Sequence, residues 1–305
     1  MKYLLILLTV LSTLSCQLDS LADYTPKGNR YALVIGVSYE NSPIPTLNGT
    51  VNDADVLGSI LELQYGYKVT ELLSSEKYFI TREKIFNKLG GLELEKDDQV
   101  IFFFAGHGDI IGEEHYLVME RESFDSLDKD LDLSATELLN ELEQLGVPAI
   151  LLIDACYTGG FIPDDPHSHD RLDIWWDEGN SFPKAESIRR SIDTFFSFPD
   201  KTYEPENIWV MSASGSGEWA MEGLVFGKDG EGGDHGAFTY FMLEGLKKTD
   251  GFAVGDANRD GVLLLSELYG SIIDGFKDNK SLFGSDLHYP RLSGSSRDII
   301  LGKYR

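Results

Sequence analysis

Four apolar runs set the strongest limit on what this chain can fold into: YALVIGV at 31–37, QVIFFFAG at 99–106, PAILLIDA at 148–155 and NIWVMSAS at 207–214. A strand with one wet face would alternate apolar and polar residues. These runs are nearly continuous, so each reads as a strand covered on both faces. A weaker run, YKVTELL at 67–73, reads as a further strand. Between the strands, TVNDADVLGSILELQ at 50–64, TREKIFNKL at 81–89 and SATELLNELEQL at 134–145 are helix-like, and Ser134 with Glu137 makes a capping-box pattern. HGAFTYFMLEGLKK at 235–248 and the stretch 266–277 read as two more helices. Alternation at these lengths predicts an α/β fold, an open and mostly parallel sheet sandwiched between helices.

In such sheets, ligands bind beyond the carboxyl ends of the strands. Two strand ends carry reactive side chains. One run closes in Ala105-Gly106-His107-Gly108, and the next closes in Asp154-Ala155-Cys156, followed by Gly159 and Gly160. A thiol becomes a good nucleophile once deprotonated, and a nearby imidazole can take that proton and later return it to a leaving amine. The backbone N–H groups around Gly108 and Cys156 are candidates to stabilise an oxyanion. Taken singly, a histidine after a strand is more often structural and a cysteine more often packing. It is their joint placement at successive strand ends that points to chemistry.

The chain has only two cysteines, Cys16 and Cys156. Residues 1–16 carry one lysine, an apolar run too short to span a bilayer, and small residues before Cys16, which is the anatomy of an export signal. The ending Thr13-Leu14-Ser15-Cys16 resembles the lipobox of bacterial lipoproteins, with Thr13 where that family prefers Leu. The resemblance implies lipidation of Cys16 and anchoring in the bacterial cell envelope; export without lipidation implies a periplasmic or secreted chain. Either way Cys156 is left without a disulfide partner. A polar linker spans 17–29, and a single domain is expected over 30–305. Within it, the turn-rich stretch 161–205 reads as a long surface insertion.

A net charge of −25 disfavours nucleic acid and anionic membrane surfaces as partners and favours cationic ligands, so membrane contact is expected through the lipid anchor alone. No HExxH, P-loop or GxSxG pattern occurs, which removes the commonest zinc-protease, nucleotide and serine-hydrolase readings and leaves no organic cofactor to expect. His167 and His169 lie with aspartates in the insertion and read as a solvated loop, and His235 reads as a cap of the helix after it.

The segments YALVIGVSYE, LNGTVNDADVL, IFFFAGHGD, LLIDACYTGGF and WVMSAS, in this order over roughly residues 30–250, resemble the caspase and metacaspase superfamily of cysteine peptidases. His107 also precedes Cys156 by about 50 residues, the caspase-type separation. What the resemblance implies is a cysteine endopeptidase acting on polypeptides, with Cys156 as nucleophile and His107 as general base and acid. In metacaspase-like relatives, acidic residues at the positions of Asp154 and Asp53 line a pocket for a basic side chain, which implies cleavage after Arg or Lys. Asp53 reads equally well as a helix-start acid favoured by the helix dipole. Ser212 resembles a pocket-edge serine, and equally a strand-end turn residue. Ala105 and Tyr157 depart from residues common in metacaspases, which touches substrate preference more than the dyad. Two other readings stay open: a caspase-like scaffold that holds a peptide without cleaving it, and transpeptidation through the same acyl-enzyme. Activation by cleavage within 161–205 is permitted by its composition.

A second motif stands apart. DANRDGVLLLSE at 256–267 follows the EF-hand loop template, with Asp256, Asn258 and Asp260 at positions one, three and five, Gly261 at six, the carbonyl of Val262 at seven and Glu267 at twelve. This set predicts Ca²⁺; the competing reading is a tight Asp-Gly turn without metal. Leu264 at position nine would leave that ligand to water.

Overall fold

The computed structural model describes residues 26–75, 78–111, 114–122, 131–155, 207–215, 220, 222–223, 235–283, 289–294 and 297–304. In chain order the elements are β1 (Arg30–Gly36), α1 (Thr50–Tyr65), β2 (Lys68–Leu73), α2 (Arg82–Gly90), β3 (Gln99–Ala105), β4 (Gly108–Ile111), β5 (Glu114–Leu117), β6 (Leu133–Ser134), α3 (Ala135–Gln144), β7 (Ala149–Asp154), β8 (Ile208–Ser212), β9 (Glu222–Gly223), β10 (His235–Gly236) and α4 (Ala237–Leu246). The C-terminal part adds β11 (Lys248–Thr249), β12 (Phe252–Ala253), β13 (Val262–Leu264), α5 (Leu265–Asp278), α6 (Lys280–Phe283), β14 (Arg291–Gly294) and β15 (Ile300–Lys303). All five strands and five helices expected from the sequence are present.

The main sheet has the order β14-β8-β7-β3-β1-β2, parallel except for β14, which runs antiparallel to β8 along one edge. The fold is therefore the expected α/β one. Alternate residues of the continuous apolar strands serve opposite faces. Ala32, Val34, Ile101, Phe103, Ile150 and Leu152 pack under α1, α4 and α5. Leu33, Ile35, Phe102, Phe104, Leu151 and Ile153 pack under α2 and α3 on the other side. Phe102, Phe103 and Phe104 are all fully buried, and each contributes about 1.5–3 kcal/mol relative to exposure.

Local signals agree with this layout. The Ser134 hydroxyl accepts the Glu137 amide at 3.1 Å and Glu137 reaches back to the Ser134 amide at 3.4 Å, so the predicted capping box starts α3. Residues 28 and 29, placed in a linker by the sequence, are already docked: the Gly28 amide donates to Asp97 O and the Asn29 amide to Asp98 Oδ1. A small sheet, β4-β5-β6, branches from the end of β3 and was not foreseen. No helix among the described residues is long and apolar enough to cross a membrane. The export segment with Cys16, and the 161–205 insertion, lie outside the described residues.

Candidate active site

The carboxyl ends of β3 and β7 are neighbours in register, with Ala105 opposite Asp154. The pairing runs on by one bond, from the Gly106 amide to Asp154 O at 3.1 Å. His107 follows Ala105 by two positions, and Cys156 follows Asp154 by two. Cys156 lies just outside the described residues, directly after Ala155. The two strand ends that lead to His107 and Cys156 thus leave the sheet side by side.

His107 is held from several directions. Its Nε2 lies 2.8 Å from Pro45 O; a carbonyl only accepts, so Nε2 carries the hydrogen and Nδ1 has the lone pair of the neutral ring. The His107 amide donates to Tyr39 Oη at 2.9 Å, and the two rings are tilted with centroids 4.7 Å apart. The Tyr39 hydroxyl donates in turn to Val118 O at 2.7 Å. Tyr39 adopts φ 63°, uncommon for a bulky residue. Burial lowers the His107 pKa to about 4, against a smaller opposing effect of the Pro45 bond, so the imidazole is neutral at pH 7. The neighbouring Asp109 carboxyl is raised by burial to about 6.

Gly106 answers why a glycine precedes this histidine. A Cβ there would stand 2.7 Å from the Phe104 ring and 2.9 Å from Tyr39 Oη, so any side chain would displace the group that accepts the His107 amide. Gly108 has a different part. It faces Leu117 across β4–β5, and the flanking bond runs from the Val118 amide to His107 O at 2.9 Å. That makes 108 and 117 a non-hydrogen-bonded pair, so this ladder makes no use of the Gly108 N–H, which points away from β5 along the outer edge of β4. An amide so placed beside His107 suits an oxyanion donor.

The two acidic residues of the expected pocket meet at one turn. Asp53 Oδ1 lies 2.6 Å from His235 Nδ1, and Oδ2 accepts the Gly236 amide at 3.0 Å. Asp154 Oδ2 accepts both the Thr239 hydroxyl at 2.6 Å and the Thr239 amide at 3.1 Å, which caps the first turn of α4. Burial pushes the Asp53 carboxyl up, while the bonds from His235 and Gly236 pull it down. Gly236 sits between the pair so tightly that a Cβ would fall 2.2 Å from Asp154 Oδ2. The cap of α4 is therefore Asp154, reaching over from β7, and not His235 as the sequence suggested; His235 is engaged with α1 instead.

Ser212 is fully buried and its hydroxyl donates to Ser214 O at 2.9 Å, the strand-end alternative of the two readings. Ser214 donates to Ala155 O at 3.3 Å, which ties the end of β8 to the residue before Cys156. Tyr39, Pro45, His235, Thr239 and Ser214 were not picked out as site residues by the sequence analysis, or not in these roles. Their partners are distant in sequence and no local spacing marks them. His115 is buried within β5, whereas His167, His169 and His288 lie outside the described residues.

At the far end of α4, the loop 256–267 forms a closed turn. Asp256 Oδ2 accepts the Gly261 amide at 3.1 Å, Asn258 Oδ1 accepts the Asp260 amide at 2.8 Å and Asp260 Oδ1 accepts the Val262 amide at 2.8 Å. Glu267 Oε2 accepts the Leu264 amide at 3.1 Å.

The sequence profile of a family described as caspase domain matches residues 29–256. Among solved structures, the protein GSU0716 from Geobacter sulfurreducens is similar with 16% identity and a TM-score of 0.51, covering 88% of this chain and 94% of that one. Caspase-1 from Spodoptera frugiperda is similar with 15% identity and a TM-score of 0.53, covering 92% and 94%. At these identities the likeness concerns the fold. No curated protein is significantly similar in sequence.

Proposed function

The chain belongs to the caspase-domain family, and on that premise we propose that it is a cysteine endopeptidase that cleaves polypeptides through a thioester on Cys156. The observation that supports this best is the register of β3 and β7, with Ala105 opposite Asp154, from which His107 and Cys156 each stand two residues on. In the proposed reaction Nδ1 of His107 takes the thiol proton as the sulfur attacks the scissile carbonyl carbon. The oxyanion so formed is met by the N–H groups of Gly108 and Cys156. Collapse of the adduct breaks the C–N bond, and the proton on His107 passes to the leaving amine. Water then attacks the thioester, giving up a proton to His107, and the thiol is regenerated as the acid product leaves.

The Pro45 carbonyl bond favours this assignment, because it fixes the tautomer with the basic nitrogen at Nδ1. The low His107 pKa keeps that nitrogen unprotonated at neutral pH. For specificity we propose a basic side chain before the cleaved bond, since Asp53 and Asp154 bring two carboxylates to the same turn beside the end of β7. Asp53 Oδ1 and Oδ2 take one bond each, from His235 and Gly236, so each has a second lone-pair site that a guanidinium can use without releasing the α4 turn. The expectation that the chain is exported and lipid-anchored rests on residues 1–16 alone.

A panel of fluorogenic peptides ending in Arg, Lys, Asp or Ala tests the proposal. Cleavage after Arg and Lys by the wild type, and none by Cys156→Ala, supports it. Folded wild-type protein that cleaves no member, with or without added Ca²⁺, would favour a peptide-holding scaffold.

A further inference from the structure

We propose that residues 256–267 bind one Ca²⁺, and that the ion acts as a clasp holding the C-terminal strand β15 to the domain rather than as part of the catalytic site. The observation that carries this is an orphaned atom: Asp256 is 2% exposed, and its Oδ1 is buried with no hydrogen-bond partner among the described residues. A buried carboxylate oxygen left without a donor is costly. The other oxygen of the same carboxylate is spent inside the loop, on the Gly261 amide and on the Tyr304 hydroxyl at 2.7 Å. The orphan therefore belongs to the group at position one of the loop, where a Ca²⁺ would be its missing partner.

The rest of the loop is shaped to suit. Gly261 has φ 87°, the left-handed conformation required at the sharp turn of position six. Asn258 and Asp260 supply further oxygens on alternate residues, and the peptide carbonyl of Val262 comes next. Glu267 is already drawn toward this space. Its carboxylate takes a hydrogen bond from the Leu264 amide, and the Asn258 amide and the charges of Asp256 and Asp260 lie near enough to act on it. Among the described residues no three acidic or imidazole side chains yet stand at metal-ligating distance of one another. The binding step is thus a movement of Glu267 from its Leu264 bond to bidentate ligation, with the cation relieving repulsion among three carboxylates.

The clasp follows from what the loop touches. Its outgoing strand β13 pairs with β15, the Tyr304 amide donates to Gly261 O at 3.1 Å, and the Tyr304 hydroxyl meets Asp256. An ion fixing Asp256 and Glu267 would fix β13 and hence β15. The catalytic strand ends lie at the opposite end of α4, whose first turn is the one held by Asp154.

Isothermal titration of the full chain with CaCl₂, alongside thermal melts in Ca²⁺ and in EDTA, tests this without reference to peptide cleavage. The expected result is one site per chain with a dissociation constant of about 10⁻⁵ to 10⁻³ M. At ten times that concentration the Tm should rise by about 3 °C. Slower hydrogen exchange in 300–304 should accompany it. Glu267→Gln keeps an acceptor for the Leu264 amide but loses the bidentate charge, and should weaken binding at least tenfold while melting like the wild type in EDTA. No heat and no Tm shift up to about 10 mM Ca²⁺, from wild-type protein with a cooperative melt, would overturn the proposal. So would binding that survives unchanged in Glu267→Gln, or a Ca²⁺ effect that leaves exchange in 300–304 untouched. Should the variant fail to fold, the wild-type titration and exchange decide alone.

Discussion

The phenol oxygen of Tyr39 stands 2.9 Å from the backbone nitrogen of His107 and accepts its hydrogen, while its own hydrogen goes to Val118 O. One side chain from the loop after β1 thereby fixes both the strand end that carries the imidazole and the strand β5 region beside it. Tyr39→Phe removes the acceptor and the donor together and leaves two buried backbone groups unmet. We expect a loss of about 2–4 kcal/mol in stability by urea unfolding. We also expect a fall in kcat of roughly 10- to 100-fold with KM little changed, because the base is misplaced while the substrate cleft is not altered. Unchanged kcat in a folded variant would show that His107 is positioned without Tyr39.

Burial lowers the His107 pKa to about 4, below the histidine value of about 6.5 expected when unfolded. Between these values the unfolded chain holds a proton that the folded chain does not. Stability from the neutral imidazole is therefore complete above about pH 6.5 and is lost as pH falls toward 4. At pH 4.5 the loss amounts to about 2.5 kcal/mol. Urea unfolding at pH 7 and pH 4.5 should show the wild type losing that much more than His107→Asn, and equal losses would count against the buried neutral ring.

Asp154 has a double part in this account, as cap of α4 and as a carboxylate for a basic substrate. Asp154→Ala strands the Thr239 amide and hydroxyl, with Thr239 fully buried, and should cost about 2–4 kcal/mol. Asp154→Asn keeps an acceptor and should melt within a few degrees of the wild type. That variant should nonetheless lose preference for Arg-ended over Ala-ended peptides by about 30-fold in kcat/KM. A stable Asn variant with undiminished preference would remove Asp154 from substrate recognition.

Two glycine-to-alanine changes should differ in sign. At Gly236 a Cβ would strike Asp154 Oδ2 at 2.2 Å, and the change should destabilise by about 1–3 kcal/mol. Gly270, exposed within α5, has open space around it, and alanine there should stabilise by about 0.5–1 kcal/mol. Thermal melts of the pair read both outcomes at once.

The sheet and its helices were legible because their signals are local. Continuous apolar runs mark doubly covered strands, and Ser134 with Glu137 marks a helix start in four residues. The place of His107 at a strand end was legible for the same reason. What holds it was not: Pro45 and Tyr39 reach it across more than 60 positions, and nothing in their neighbourhoods distinguishes a carbonyl or phenol that orients an imidazole. Asp154 illustrates the same limit. Its position before Cys156 suggested a pocket, yet its bond to Thr239 depends on α4 packing against β7, which only the tertiary fold brings about. The edge strand β14 was missed because Arg291–Gly294 is short and only partly apolar, so its pairing with β8 rests on the sheet already present.

The most direct test of the account is to treat the folded chain with an arginine-ended peptide chloromethylketone and locate the adduct by mass spectrometry. The account predicts stoichiometric labelling of Cys156, abolished in His107→Ala and blocked by an excess of an arginine-ended peptide. Failure of Cys156 to react in protein with an intact cooperative melt, or labelling that persists undiminished in His107→Ala, would contradict a thiol activated by this imidazole.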